Sequence, residues 1–128
     1  MLKRLEAGEI DLLPAVGYTA ERRRLFDFCK HPVYIDSGVL FTRPKYPLHT
    51  IFELDGKKVA GVKGSIFTQG FIDYVASFGV TCDIVYTADN PEVMAAIEDG
   101  TVDAGVSIYS LGSELAKRYR VTATPISF

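Results

Sequence analysis

From residue 57 onward the apolar positions change period in regular alternation. Lys57-Lys58-Val59-Ala60-Gly61-Val62 predicts a short buried strand, closed by Lys63-Gly64. Phe67, Phe71, Tyr74, Val75 and Phe78 then recur at spacings of three and four, which places them on one helical face. A helix is therefore predicted over 65–78, with Gly79 as its C-terminal cap. Residues 82–87 predict the next strand. Asp89-Asn90-Pro91-Glu92 is a helix start, with a polar cap, a first-turn proline and an acid at the positive end of the dipole. That helix covers 91–98, turns Val93, Met94 and Ile97 inward, and stops at Gly100. Residues 102–108 read as another apolar strand and 110–119 as a helix, with Lys117, Arg118 and Arg120 near its negative end. Residues 121–127 close the chain as an extended segment. Strands alternating with helices predict an α/β fold, a three-layer α/β/α lobe with a mostly parallel sheet. The segments 58–62, 84–86 and 104–108 are its expected parallel strands.

The first third is less regular. Residues 2–7 look like the tail of a helix ended by Gly8, residues 10–13 read as a strand, and 19–24 as a short helix. Residues 26–34 are interrupted by His31-Pro32, and 37–43 resume as a strand. A strand–helix–strand unit that opens on the end of its helix lacks its first strand, so the chain is expected to start in mid-fold.

Length and charge narrow the function classes. At 128 residues, with a formal net charge of −2, the chain fits one domain-sized unit and offers no basic stripe for nucleic acid. Arg22-Arg23-Arg24 stands beside Glu21 and Asp27 and reads by composition as a solvated helix face. Cys29 and Cys82 have no metal-ligand spacing. As isolated thiols they read as small buried side chains, while pairing in an oxidising compartment stays open. His31 and His49 are loop histidines without a ligand partner, so no metal site and no cofactor is expected. No stretch reaches the ~20 apolar residues of a membrane span. Asp103, at the start of an apolar strand after a glycine turn, reads as a turn-stabilising residue rather than a catalytic acid.

The order of these signals resembles the family 3 extracellular solute-binding proteins. The matching residues are Leu5, Gly8-Glu9-Ile10-Asp11-Leu12, Thr19 with Arg22, Phe26-Asp27-Phe28 and Pro32-Val33-Tyr34. Further on they are Leu54-Asp55-Gly56-Lys57-Lys58-Val59-Ala60, Gly64-Ser65 and Gly100 with Val102-Asp103-Ala104-Gly105. The resemblance implies the type II periplasmic-binding-protein fold, in which two lobes joined by crossing strands close on a small ligand. Residues 1–34 would then be part of lobe one with the first crossing segment, 35–122 lobe two, and 123–128 the start of the return strand. It also implies an extracytoplasmic location, with any membrane attachment lying in flanking segments.

Six residues are the candidate ligand contacts. Arg22 in the T-x-x-R motif would grip a carboxylate with two parallel hydrogen bonds, and Thr19 opens that motif. Gly64 and Ser65, at a helix start, would offer unpaired backbone N–H groups to an anion. Tyr18 and Tyr109, with Tyr86, fall at strand–helix junctions where α/β sheets place their crevice. The departures from the amino-acid-binding pattern matter as much. Ala15, Val16 and Gly17 stand where serines are expected, Ile66 replaces a second hydroxyl residue, and Ile108 replaces the acid that would hold an ammonium group. A buried α-amino group beside Ile108 would lack its counter-charge. A carboxylate or largely apolar ligand fits better, and so does a lobe that has lost ligand binding.

The stretches Gly8-Glu9-Ile10-Asp11-Leu12-Leu13-Pro14-Ala15-Val16 and Thr124-Pro125-Ile126-Ser127-Phe128 resemble sensor-fused members of the family. This resemblance implies ligand sensing for a membrane-bound signalling protein such as a histidine kinase or diguanylate cyclase, without catalytic residues. A substrate-binding protein of an ABC importer is the alternative, and a dehydratase-type enzyme on the same scaffold a third reading. The apolar side chains of residues 2–34 also predict a homodimer in which that segment packs on a partner.

Overall fold

The structure, a computed structural model, describes residues 1–128 and divides into two compact units, Met1–Ile35 and Asp36–Phe128. The first unit contains two short helices, α1 (Leu2–Glu6) and α2 (Ala20–Leu25), joined by irregular chain. Thr19 caps α2, its hydroxyl accepting the Arg22 N–H at 3.1 Å. Residues 10–13 form no strand, contrary to the sequence pattern. A strand exists only through a neighbour's hydrogen bonds, and all five strands of the protein lie beyond residue 37.

The second unit is built in the order β1 (Gly38–Thr42), a 3-10 turn (Ile51–Leu54), β2 (Lys58–Val62), α3 (Ile66–Ser77), β3 (Asp83–Thr87), α4 (Asn90–Glu98), β4 (Ala104–Ile108), α5 (Tyr109–Leu115) and β5 (Thr122–Ser127). Its five strands form one sheet in the order β3-β2-β4-β1-β5. The three expected strands are parallel: β2 pairs in parallel with β3 and with β4. β1 runs antiparallel between β4 and β5, with Leu40 opposite Val106 and Val39 opposite Ser127. The α/β architecture with its mostly parallel sheet therefore holds: four strands run in one direction, and β1 alone is reversed because it enters without a crossover helix of its own.

Alternation along the central strands supplies two cores. Leu40, Val59 and Val106 face α3 and the 3-10 turn, meeting Phe71, Val75, Leu54 and Ile51. Val39, Phe41 and Ala60 face the opposite layer, meeting Val93, Met94, Ile97 and Val121. Helices and turns on both faces make this a three-layer unit. Close packing explains two glycines. A Cβ on Gly112 of α5 would fall 2.3 Å from the Phe41 ring, and one on Gly105 of β4 would fall 2.5 Å from Val93. The helix predicted over 110–119 is shorter than expected, ending at Leu115 with Ala116 as its cap. Lys117 instead pairs with Glu114 across the closing turn.

Asp103 clasps the parallel strands. Its carboxylate accepts the Lys58 N–H at 3.0 Å and its own N–H donates to the Lys58 carbonyl. It therefore ties the starts of β2 and β4 together across the sheet, a longer-range role than a local turn. Cys29 is exposed rather than buried, and Cys82 is half-buried; both are free thiols. Burial, then the charges of Asp55 and Asp83, push the Cys82 thiol above its ordinary pKa, which suppresses the nucleophilic thiolate.

Candidate ligand crevice

Parallel strands converge with helix N-termini at the carboxyl end of a sheet, and open α/β sheets place ligands there. In the second unit that edge carries two adjoining depressions. The larger is an open hollow of about 470 Å³ whose wall includes Lys63, Gly64, Ser65, Gln69, Ile72 and Tyr86. The smaller is a cavity of about 90 Å³ between the ends of β2 and β4, walled by Val62, Ser65, Thr68, Asn90, Ser107 and Ile108 among others. Ser65 and Thr68 border both.

The local sequence explains the geometry. Gly64 adopts φ +77°, a left-handed conformation that turns the chain from β2 into α3 without Cβ strain. Ser65 closes that turn by donating its N–H to the Val62 carbonyl at 3.2 Å, and its hydroxyl accepts the Phe67 N–H at 3.2 Å. So Ser65 caps its own helix, and the N–H groups of Ile66 and Thr68 have no acceptor within the protein. Free first-turn donors at the positive end of a twelve-residue helix suit an acceptor or an anion.

Tyr109 is the first residue of α5, directly after Ile108 at the end of β4, and its ring is 54% exposed. Tyr86 lies on β3 and contributes to the larger hollow. Ile108 borders the smaller cavity, so an apolar side chain does stand at that position of the crevice. Sequence reasoning missed Thr68, Asn90 and Ser107. Ser107 is buried, and its hydroxyl donates to Asn90 Oδ1 at 3.0 Å. A serine at an inward position of an apolar strand, and a threonine one turn into an otherwise apolar helix face, were the signals available.

In the first unit, Arg22 and Thr19 are held in one short turn. The Arg22 guanidinium donates through Nη1 to the Gly17 carbonyl at 3.0 Å, which orients the side chain while its other nitrogens make no bond to the protein. Arg22 is half-buried, whereas its neighbours Arg23 and Arg24 are exposed and Arg23 pairs with Asp27 at 2.6 Å. Tyr18 stacks edge-on against Phe28, ring centroids 5.3 Å apart. The structure thus gathers Thr19 and Arg22 in the first unit and Gly64 and Ser65 in the second.

One carboxylate marks the beginning of the second unit. Asp36 accepts the Ser37 N–H at 2.9 Å through one oxygen and the Ser110 hydroxyl and N–H through the other. Burial alone would raise its pKa, but these hydrogen bonds, the Ser110 hydroxyl first, outweigh it and hold the pKa below the ordinary 3.8. The group is structural: it fixes the entry to β1 against the first turn of α5. No cluster of three or more His, Cys, Asp or Glu side chains is placed to hold a metal ion, and no helix is long and apolar enough to cross a membrane.

No protein-family model matches the chain, and no curated protein sequence matches it. Solved structures do. An amino acid ABC transporter substrate-binding protein from Streptococcus pneumoniae bound to L-arginine superposes with a TM-score of 0.80 at 21% identity, over 99% of this chain and 53% of that one. A histidine kinase sensor domain with similarity to periplasmic binding proteins gives 0.79 at 21% identity, over 97% and 54%. The arginine-, lysine-, histidine-binding protein ArtJ from Geobacillus stearothermophilus gives 0.78 at 18% identity, over 97% and 54%. The fold is therefore that of the type II periplasmic binding proteins, and the chain spans a little over half the length of these structures.

Proposed function

We propose that this chain is part of a two-lobed solute-binding module that senses a small carboxylate-bearing molecule outside the cytoplasm for a membrane-bound signalling protein. In this reading residues 1–34 supply part of lobe one and the first crossing segment, 35–122 are lobe two, and 123–128 begin the return strand. The observation that carries the reading is the crevice at the carboxyl edge of the parallel strands, where the Gly64-Ser65 turn leaves first-turn N–H donors free. The fold shared with ligand-binding proteins supports a binding role.

Arg22 would meet the ligand carboxylate from lobe one, through the nitrogens that its Gly17 contact leaves free. Thr19 would hold the turn, and Tyr18 and Tyr109 would serve as aromatic walls. Ile108 at the end of β4 disfavours a free α-ammonium group. Similarity to a kinase sensor domain favours the sensor reading, and similarity to transporter binding proteins supports an importer as the second reading. A membrane anchor and a cytoplasmic output domain in the same gene product would distinguish the first from the second.

The test is calorimetric titration of the intact two-lobed protein with small carboxylates, parent against Arg22→Ala. Loss of a charge-assisted contact should cost about 1.5–3 kcal/mol of binding free energy. Unchanged affinity would remove Arg22 from the site and leave the carboxylate reading without its strongest contact.

A further inference from the structure

Two buried hydroxyl groups border the small cavity between β2 and β4. Ser107 is 2% exposed and Thr68 3% exposed. The Ser107 hydroxyl is engaged with Asn90 Oδ1, but the Thr68 hydroxyl has no hydrogen-bond partner in the protein, and neither does the Asn90 amide nitrogen. The cavity therefore presents donors that a ligand group would satisfy. Its remaining walls are Ser65, whose hydroxyl is engaged in capping α3, and the apolar Val62, Phe67, Val106 and Ile108.

The charges around it are all turned elsewhere. Asp89 accepts the Glu92 N–H, and Glu92 accepts the Ala88 N–H, so both acids at the start of α4 cap their own helix. Lys63 borders the neighbouring hollow and not this cavity. Burying an ammonium or guanidinium group here would leave it without a counter-charge, and burying a carboxylate would leave it without a cation. A neutral acceptor faces neither cost and satisfies the free donors.

We infer that this cavity is a specificity pocket that takes an uncharged carbonyl group of the ligand, an amide above all, and refuses ammonium and guanidinium groups. The inference rests on the proposed crevice and adds the class of group bound beside the carboxylate. About 90 Å³ leaves room for a functional group of a few heavy atoms.

The test is titration of the isotope-labelled full chain with acetamide, acetate, methylammonium and guanidinium, followed by amide chemical shifts. Acetamide should move the Ser65, Thr68 and Ser107 backbone amides and the Asn90 side-chain amide, while the two cations leave them in place. Thr68→Val, which keeps the shape and removes the hydroxyl, should weaken acetamide binding roughly five-fold, with Thr68→Ser restoring it. Ser107→Ala is a second variant and should weaken it comparably. Guanidinium moving the same amides, acetamide leaving them still, or Thr68→Val binding acetamide like the parent would each overturn the inference. Acetate reports separately on the Gly64-Ser65 turn. If acetate moves the Gly64 and Ile66 amides while acetamide does nothing, only the specificity pocket falls. If neither probe acts, the crevice reading falls with it.

Discussion

Residues 1–35 and 36–128 are both rich in large apolar side chains, yet only the second unit hides them. In the first unit no residue is fully buried, and Leu12, Leu25, Val33 and Ile35 are 71%, 65%, 89% and 81% exposed. In the second, Leu40, Phe41, Leu54, Phe71, Met94 and Ile97 have no accessible surface. The difference is the sheet. Paired strands present two flat apolar faces for helices to cover, whereas two helices of five and six residues are too short to form a core between them. Hydrophobic residues alone do not make a core; a second layer does.

The largest effect that would break this contrast is in the second unit. Phe41→Ala empties a fully buried site between β1 and α5 and should cost about 3–5 kcal/mol in denaturant unfolding. Leu12→Ala, as its counterpart in the first unit, should change stability by less than about 0.5 kcal/mol. Equal costs would mean that the first unit contributes to a common core. Gly112→Ala probes the same contact from the other side, since its Cβ would meet the Phe41 ring at 2.3 Å. Overpacking there should cost about 1–3 kcal/mol; a neutral result would show that Phe41 has room to turn away.

The exposed side chains of the first unit lead to an expectation about assembly. Each large one left in water forgoes roughly 1.5–3 kcal/mol of burial free energy, so self-association is expected, most simply as a twofold dimer. Sedimentation at micromolar concentration should give a mass that rises with concentration. Replacing Leu12, Leu25 and Val33 by serine should return it to that of a monomer. A concentration-independent monomeric mass for the parent chain would rule the idea out.

The smallest effect sharpens the boundary between the units. Asp36 has a folded-state pKa below 3.8, and the unfolded chain has about the ordinary value. Its contribution is therefore fully present above that value and is lost as pH falls through the folded pKa. Asp36→Asn should lower stability at neutral pH by the small amount the carboxylate contributes there and flatten the acid limb below about pH 4, so that the two proteins converge in acid. An unaltered acid limb would mean that the Ser110 contacts add nothing to folding.

Local periodicity and local caps made most elements of the second unit legible. The spacing of Phe67, Phe71 and Val75, the Asp89–Glu92 start and the glycines at 64, 79 and 100 each report a preference that a few neighbouring residues express by themselves. The Gly64-Ser65 turn was visible for the same reason. What the tertiary structure decided is everything that needs a distant partner. An alternating stretch such as residues 10–13 reads like a strand whether or not a neighbour exists to pair with it. The antiparallel seating of β1 between β4 and β5 depends on residues more than sixty positions apart. Asp103 reaches Lys58 and Asp36 reaches Ser110 only once the sheet has closed. The small cavity joins Thr68, Asn90 and Ser107 from three separate elements, and no spacing along the chain encodes that meeting. Side-chain chemistry and turn preference are short-range and can be read in order, whereas pairing and burial are settled by which surfaces meet when the whole chain packs.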